Sequence, residues 1–198
     1  MMGHHNKQLT GWLFTGSEAL RCLGYIRAYF LAAMRILWPK SYRAKVSYLP
    51  LAKDPVTRRP IPVSSKDEKL KLPDLSSPVP DDWVTEEGNY YLVYACNLSL
   101  LDPITLLAPD AKVDDGILYL VLVRSSMSRL EMVQWFLKTE EGGHVGKTGV
   151  EVIPTRAFRI EPIRPQGYMS VDAESVEFGP SQGQIIPGKG RLFVSRQA

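Results

Sequence analysis

An acidic turn runs directly into an apolar segment in the stretch APDAKVDDGILYLVLVR, residues 108–124. Three aspartates fall within six positions of this stretch: Asp110, Asp114 and Asp115. Gly116 follows them and permits the backbone angles of a tight turn. The residues 117–123 form a short apolar run that is typical of a buried strand. The pattern therefore predicts an acidic loop that leads into a core strand.

The composition indicates one domain with a sizeable core, since 44% of the 198 residues are hydrophobic. The formal net charge of +3 is compatible with contact to anionic lipid or nucleotide phosphate and does not call for nucleic acid. No uncharged apolar stretch of about 18 residues occurs, so we expect no membrane-spanning segment, and the start of the chain lacks the pattern of a cleaved leader. The two cysteines, Cys22 and Cys96, have no CxxC spacing, which favours a reduced cytosolic setting.

The first part of the chain divides into an irregular start, a helix and a strand. Residues 1–16 have no periodic pattern and are predicted to be unstructured or atypical. A helix is predicted from Ser17, a good N-cap, to about residue 37, because Pro39 ends it. Alternating basic and apolar residues at 42–49 predict a strand. Residues 52–82 contain six prolines and few aromatic residues, so we expect a mobile surface loop inside a domain that covers 17–198.

Strands dominate the rest of the chain. The aromatic and branched residues at 90–96 predict a strand, and Asp102 could cap a short helix that starts at Pro103. A second helix is predicted from Ser126 or Ser128 to Lys138 and is ended by Gly142 and Gly143. Shorter strands are predicted at 150–160, 168–171, 175–178, 183–186 and 191–194.

Several strings occur in the order in which they are found near the C-terminus of one group of lipid kinases. They are SEALRCLGYIRAYF (17–30), YRAKVSYLP (42–50), APD…DDG (108–116), SMSRLEMVQWFLKTEEGGH (126–144), RAFRIEP (156–162), VDAE (171–174) and VEFGPSQGQIIPGKG (176–190). Over roughly residues 17–193 the chain resembles the diacylglycerol-kinase-like lipid kinases, and most closely the sphingosine kinases.

The resemblance implies the C-terminal, lipid-binding portion of such a kinase. The expected fold is α+β and β-rich: an incomplete antiparallel two-layer β-sandwich with covering helices that form the mouth of a lipid site. In the intact enzymes ATP, with Mg²⁺, phosphorylates the primary hydroxyl of sphingosine. The family carries a GGKG-like string and a GDG string with the catalytic aspartate in an N-terminal domain, and neither occurs here. We therefore expect no catalytic residue in this chain, no tightly bound ATP or Mg²⁺, and a fragment, a splice form or an incomplete gene model.

The resemblance also assigns two nucleotide-contacting pairs. Arg21 and Arg27 match arginines that contact nucleotide phosphates, whereas the residues alone would indicate a solvated basic face. Asp172 and Glu174 match an Asp-Gly-Glu motif that orients nucleotide and metal, with Ala173 in place of the glycine. Carboxylates at i and i+2 of a strand point the same way, which suits a metal or an arginine. An exposed turn is the alternative.

A long-chain amino alcohol requires an apolar channel with a polar end. The candidate lining residues are Leu106, Leu107, Val121, Met132, Trp135, Phe136 and His144. Those on the helix share one face, and family members line their channel from the corresponding helix, although ordinary core packing predicts the same spacing. The aspartate cluster at 110–115 could hold a cation or simply cap a turn.

An apolar face at Phe30, Met34 and Trp38 lies among basic residues. That pattern suits an anionic membrane surface or a calmodulin-like partner, and burial against the sheet is the alternative. We therefore expect a cytoplasmic protein with peripheral membrane association. Besides the kinase portion, two hypotheses remain: a non-catalytic module that binds lipid, membrane or protein, and a fragment of a ceramide or diacylglycerol kinase.

Overall fold

The computed structural model describes residues 34, 36–57, 59–64, 70–101, 105–165, 167–172 and 174–189. The strands in these ranges are β1 (Tyr42–Pro50), β2 (Val84–Cys96), β3 (Leu118–Arg124), β4 (Val150–Pro162), β5 (Met169–Val171), β6 (Glu174–Val176) and β7 (Ser181–Gln184). A helix, α1 (Arg129–Lys138), lies between β3 and β4 in the chain. Of the helix predicted at 17–37, the described residues Met34, Ile36 and Leu37 are helical. The strand predicted at 191–194 and the helix predicted at Asp102 and Pro103 lie outside the described residues.

Four strands form a closed ring of antiparallel pairs, called the ring below. β1 pairs with β2, β2 with β3, and β3 with β4. β4 then pairs with β1, which closes the ring. β7 adds to β4, and β5 with β6 forms a separate two-stranded hairpin. The prediction of a β-rich, antiparallel α+β fold is confirmed.

β4 is long enough to pair with three other strands, β1, β3 and β7. Its residues 150–155 pair with β3, and its later residues pair with β1, from Thr155 against Pro50 to Pro162 against Ala44. Residues 157–160 also pair with β7. β4 is therefore the strand that connects the ring to the rest of the sheet.

The predicted core strand is β3, which is buried on both faces. Leu120 and Leu122 pack in one apolar cluster with Val46 and Tyr90 from the neighbouring strands. Val121 belongs to a second cluster, because successive residues of a strand point to opposite faces. The first of these faces is called the inner face of β3 and the second its outer face.

α1 begins where the sequence predicts, at a capping box on Ser128. The Ser128 hydroxyl accepts from the Glu131 backbone N–H at 3.3 Å, and the Ser128 N–H donates to Glu131 Oε2 at 2.7 Å. These bonds satisfy donors that a helix start leaves free. Met132 is buried, and Trp135 packs against the cluster on the outer face of β3. The helix therefore covers this face.

The segment 52–82 contacts the rest of the domain at specific points. Its Val63 is buried and donates its N–H to the Asp115 carbonyl at 2.8 Å. The buried Arg159 of β4 donates to the Ser77 carbonyl at 2.7 Å. These contacts fix the described parts of the segment at two places, while its mobility stays a prediction.

Candidate functional site

Three elements meet on the outer face of β3 in one apolar cluster. Leu107 precedes the acidic turn, Val121 lies in β3, and Trp135 lies on α1. Val121 is fully buried and Leu107 is nearly so. The structure thus brings together three of the residues predicted to line a lipid channel.

His144 lies beside this cluster and is fully buried. Its Nε2 is 2.9 Å from the Leu107 carbonyl oxygen. Since a carbonyl can only accept, Nε2 carries a proton, and in the tautomer with this single ring proton Nδ1 is an acceptor. Nδ1 is buried and has no hydrogen-bond partner among the described residues.

A second unpartnered polar atom belongs to Trp135. Its indole Nε1 is buried and donates to no described residue. A buried polar atom without a partner costs roughly 1–3 kcal/mol. One free donor and one free acceptor therefore belong to two residues that contact this cluster, Trp135 and His144. Sequence analysis named both residues but carried no signal for the unpartnered atoms.

Of the remaining predicted channel residues, Leu106 and Phe136 lie at the end of α1, and Met132 lies near its start. Leu106 donates its N–H to the Thr139 carbonyl at 2.9 Å. The Phe136 carbonyl accepts from the Thr139 hydroxyl at 2.6 Å, and Met132 is buried. Residues 105–109 are thus joined to the helix end, while the role of these residues as a lipid channel stays a prediction.

The carboxylates of VDAE lie at a hairpin turn, so the structure has the exposed turn that was the alternative to a shared strand. Asp172 has a φ of 48° and occupies the turn between β5 and β6, whereas Glu174 begins β6 and pairs with Val171. The left-handed backbone, which aspartate tolerates better than most residues, reverses the chain here. Both residues are exposed. The pKa of the Tyr94 phenol is raised by burial first and then by the charges of Cys96 and Asp172.

The acidic turn is organised by Asp115, which is buried. Its carboxylate accepts from the backbone N–H groups of Lys112 and Ile117, each at 2.9 Å. The Tyr119 hydroxyl also donates to it at 3.2 Å, and burial followed by the charge of Asp115 raises the pKa of that phenol. Asp110 and Asp114 are exposed. Within the described part of the chain, no three histidine, cysteine, aspartate or glutamate side chains gather as a metal site would require.

Arg21, Arg27 and Phe30 lie outside the described residues. On the proposed membrane or partner face, Met34 is half-buried and the Trp38 side chain is 65% exposed. In the described ranges no helix has the length and apolar character needed to cross a membrane.

Residues 78–194 match the family model of the YegS C-terminal NAD kinase beta sandwich-like domain. The chain belongs to this domain family. It is 44% identical to human sphingosine kinase 2 over 125 residues, which are 62% of this chain and 19% of that protein. It is 32% identical to rat sphingosine kinase 1 over 178 residues, which are 86% of this chain and 46% of the relative. The predicted resemblance to the C-terminal portion of the sphingosine kinases is confirmed, and the chain spans less than half the length of these relatives.

A solved structure of a diacylglycerol kinase-like protein from Bacillus anthracis str. Sterne has the same fold. The two superpose with a TM-score of 0.50 at 14% sequence identity, over 88% of this chain and 48% of the other. At this identity the likeness concerns the fold alone.

Proposed function

We propose that this chain supplies the lipid-contacting part of an ATP-dependent sphingosine kinase. The sphingoid base lies against the outer face of β3, beneath α1. The observation that carries the proposal is the pair of buried, unpartnered atoms, Trp135 Nε1 and His144 Nδ1, beside an apolar cluster. A site for an amino alcohol combines apolar walls with a few placed polar groups.

The two free atoms complement the head group of a sphingoid base. The Trp135 N–H can donate to a hydroxyl oxygen, and His144 Nδ1 can accept from a hydroxyl or an ammonium group. Each such bond removes the cost of a buried unpaired atom, roughly 1–3 kcal/mol. The branched and aromatic side chains around Leu107 and Val121 then contact the hydrocarbon chain. Ceramide and diacylglycerol are the alternative lipids, and they compete for the same surface.

The nucleotide contacts belong to the same proposal. Phosphoryl transfer requires cations on the phosphates and carboxylates that hold Mg²⁺. Arg21 and Arg27 supply the cations, and Asp172 and Glu174 orient nucleotide and metal. The GGKG-like and GDG strings of the family do not occur in the sequence, so the 198 residues by themselves have no appreciable kinase activity. ATP-dependent phosphorylation of sphingosine by the purified chain would contradict that statement.

A binding titration with a fluorescent sphingosine analogue tests the lipid site. Trp135→Phe removes the indole N–H and keeps the ring apolar, and His144→Phe removes the Nδ1 acceptor together with the Nε2–H that donates to the Leu107 carbonyl. Each variant should bind the analogue about tenfold more weakly, the effect of losing one buried hydrogen bond. Trp83→Phe is the matched control, because Trp83 is a buried indole outside the cluster. Equal affinity in all four proteins would remove the proposal.

A second candidate function is peripheral binding of a cytoplasmic protein to an anionic membrane. It is favoured by the exposed side chains of Trp38 and Leu37, 65% and 48% accessible, close to Lys40 and Arg43. Tryptophan beside basic residues suits a membrane interface, and a calmodulin-like protein would use the same face. Co-sedimentation with anionic liposomes should fall for Trp38→Asp and Met34→Asp but persist for Trp38→Phe. Unchanged sedimentation of both aspartate variants would exclude this role.

A further inference from the structure

A polar pocket of about 350 Å³ lies at the end of the ring where β1 begins and β4 ends. Its wall includes Ser41, Arg43, Asn89, Ser125, Arg164 and Phe178. The volume falls within the range of sites for small molecules. Its polar lining distinguishes it from the apolar cluster beneath α1.

Backbone hydrogen bonds hold the wall of this pocket together. The Ser125 N–H donates to the Asn89 carbonyl at 2.9 Å. The Ile163 N–H, next to Arg164, donates to the Arg43 carbonyl at 3.0 Å. Segments that are distant in the sequence are thus fixed next to one another by the ring, so the polar groups are placed before any ligand arrives.

The pocket keeps one positive charge that no described acidic residue neutralises. Arg43 donates from Nε to Glu87 Oε1 at 2.8 Å, and its Nη2 lies 2.6 Å from the same oxygen. This ion pair orients the Arg43 guanidinium. Arg164 is exposed and forms no ion pair with any residue that the structure describes. Guanidinium groups bind phosphate oxygens in pairs of parallel hydrogen bonds. The side chains of Ser41, Asn89 and Ser125 add further donors.

Phe178 gives the pocket an apolar wall. Its ring packs directly on the backbone of Gly167, so closely that a Cβ at this glycine would collide with the ring carbon Cζ. The ring is therefore held in position at the rim. It offers a surface for the organic part of a ligand whose charged part meets the arginines.

We propose that this pocket binds a phosphate monoester, with the phosphate on Arg164 and Arg43 and the ester group against Phe178. The site differs from the VDAE turn. The charge of Asp172 contributes to the raised pKa of Tyr94, so the turn lies near that residue. Tyr94 is five residues along β2 from Asn89 in the pocket wall, which corresponds to about 17 Å in a strand. The proposal is therefore independent of the proposed kinase function.

Two probes distinguish the source of the phosphate. Glycerol 3-phosphate, added in a calorimetric or NMR titration of the full chain, represents soluble esters. Vesicles of phosphatidylcholine with and without phosphatidic acid represent a lipid head group. Binding of the soluble ester, or binding that requires phosphatidic acid in the vesicle, supports the pocket and names its ligand. Binding of neither probe overturns the proposal.

The variants locate the binding. Arg164→Gln removes the unpaired guanidinium at an exposed position, so folding should be unchanged by circular dichroism. Its affinity for the bound probe should fall about tenfold, as expected for losing a charge-assisted pair of hydrogen bonds. Arg129→Gln, at an exposed arginine of α1, should bind as the wild type does. An equal loss in both variants would mean diffuse attraction to a basic surface and would overturn the pocket.

Discussion

Arg159 of β4 and Gln182 of β7 lie opposite each other, and Nε and Nη2 of the arginine both donate to the Gln182 side-chain oxygen, at 3.1 and 3.0 Å. The guanidinium also donates to the carbonyls of Ser77 at 2.7 Å and Asp74 at 2.9 Å. Arg159 is only 1% exposed. Its charge is surrounded by neutral oxygens of the described residues, and it ties residues 73–77 of the proline-rich segment 52–82 to the sheet.

Replacing this arginine should destabilise the domain strongly. Arg159→Met keeps most of the volume but leaves the carbonyls of Asp74 and Ser77 without donors, which should lower the free energy of unfolding by about 3 kcal/mol. Urea unfolding followed by circular dichroism measures the change. Arg129→Met, at an exposed position, is the control and should change stability by less than about 0.5 kcal/mol. Similar losses in the two variants would contradict the assigned role of Arg159.

Two glycines with the same backbone conformation should respond differently to a methyl group. Gly116 and Gly146 have φ of 64° and 74°. A Cβ at Gly116 would collide with the Val63 carbonyl oxygen, whereas one at Gly146 would have no neighbour within 4 Å. Gly146→Ala should therefore cost only the left-handed strain, about 1 kcal/mol, and Gly116→Ala clearly more. Thermal unfolding of both variants gives the comparison, and equal melting temperatures would refute it.

The acidic turn should behave as a hydrogen-bonded cap and not as a cation site. The Asp115 carboxylate is already occupied by the N–H groups of Lys112 and Ile117. Asp115→Ala should lower the free energy of unfolding by about 3 kcal/mol, because these buried donors lose their acceptor. Adding Ca²⁺ should leave the melting temperature of the wild type unchanged. A rise with Ca²⁺ that disappears in Asp110→Asn would instead favour a cation site.

Cys96 should react slowly with alkylating reagents. Burial raises the pKa of its thiol to about 11, and the thiolate is the reactive form. At pH 8 very little thiolate exists, so labelling should accelerate as the pH rises towards that value. A Cys22→Ser background isolates Cys96 for labelling with iodoacetamide and mass spectrometry. Labelling in native buffer as fast as in urea would disprove the prediction.

The sequence predicts the apolar strand and the start of α1 because each depends on neighbouring residues. The first half of β2, by contrast, was missed. Its residues 85–89 have the sequence TEEGN, which resembles a loop, but Glu86 pairs with Arg124 at 2.6 Å and Glu87 pairs with Arg43. Charges that look solvated in the sequence are satisfied by partners on other strands. The closure of the ring by β1 and β4 was also missed, because their pairing joins residues more than a hundred positions apart in the sequence.

For the candidate sites, too, local patterns predict some features, and long-range contacts determine the others. Helical spacing predicts that Met132 and Trp135 share a face, and the structure has both on the covered side of α1. The orphaned atom of His144 depends on where Leu107 presents its carbonyl, which no local pattern encodes. The pocket at Arg43 and Arg164 combines residues more than a hundred positions apart, so the sequence carries no sign of it.

The closed ring has a consequence for how such domains can diverge. β1 and β2 are hydrogen-bonded neighbours, yet 33 residues, 51–83, connect them. Lengthening a connection between strands that already touch costs little, roughly 0.6 kcal/mol for each doubling. Evolution can therefore expand or shorten this connection, and with it add recognition elements, while the barrel-like base that supports both sites keeps its geometry.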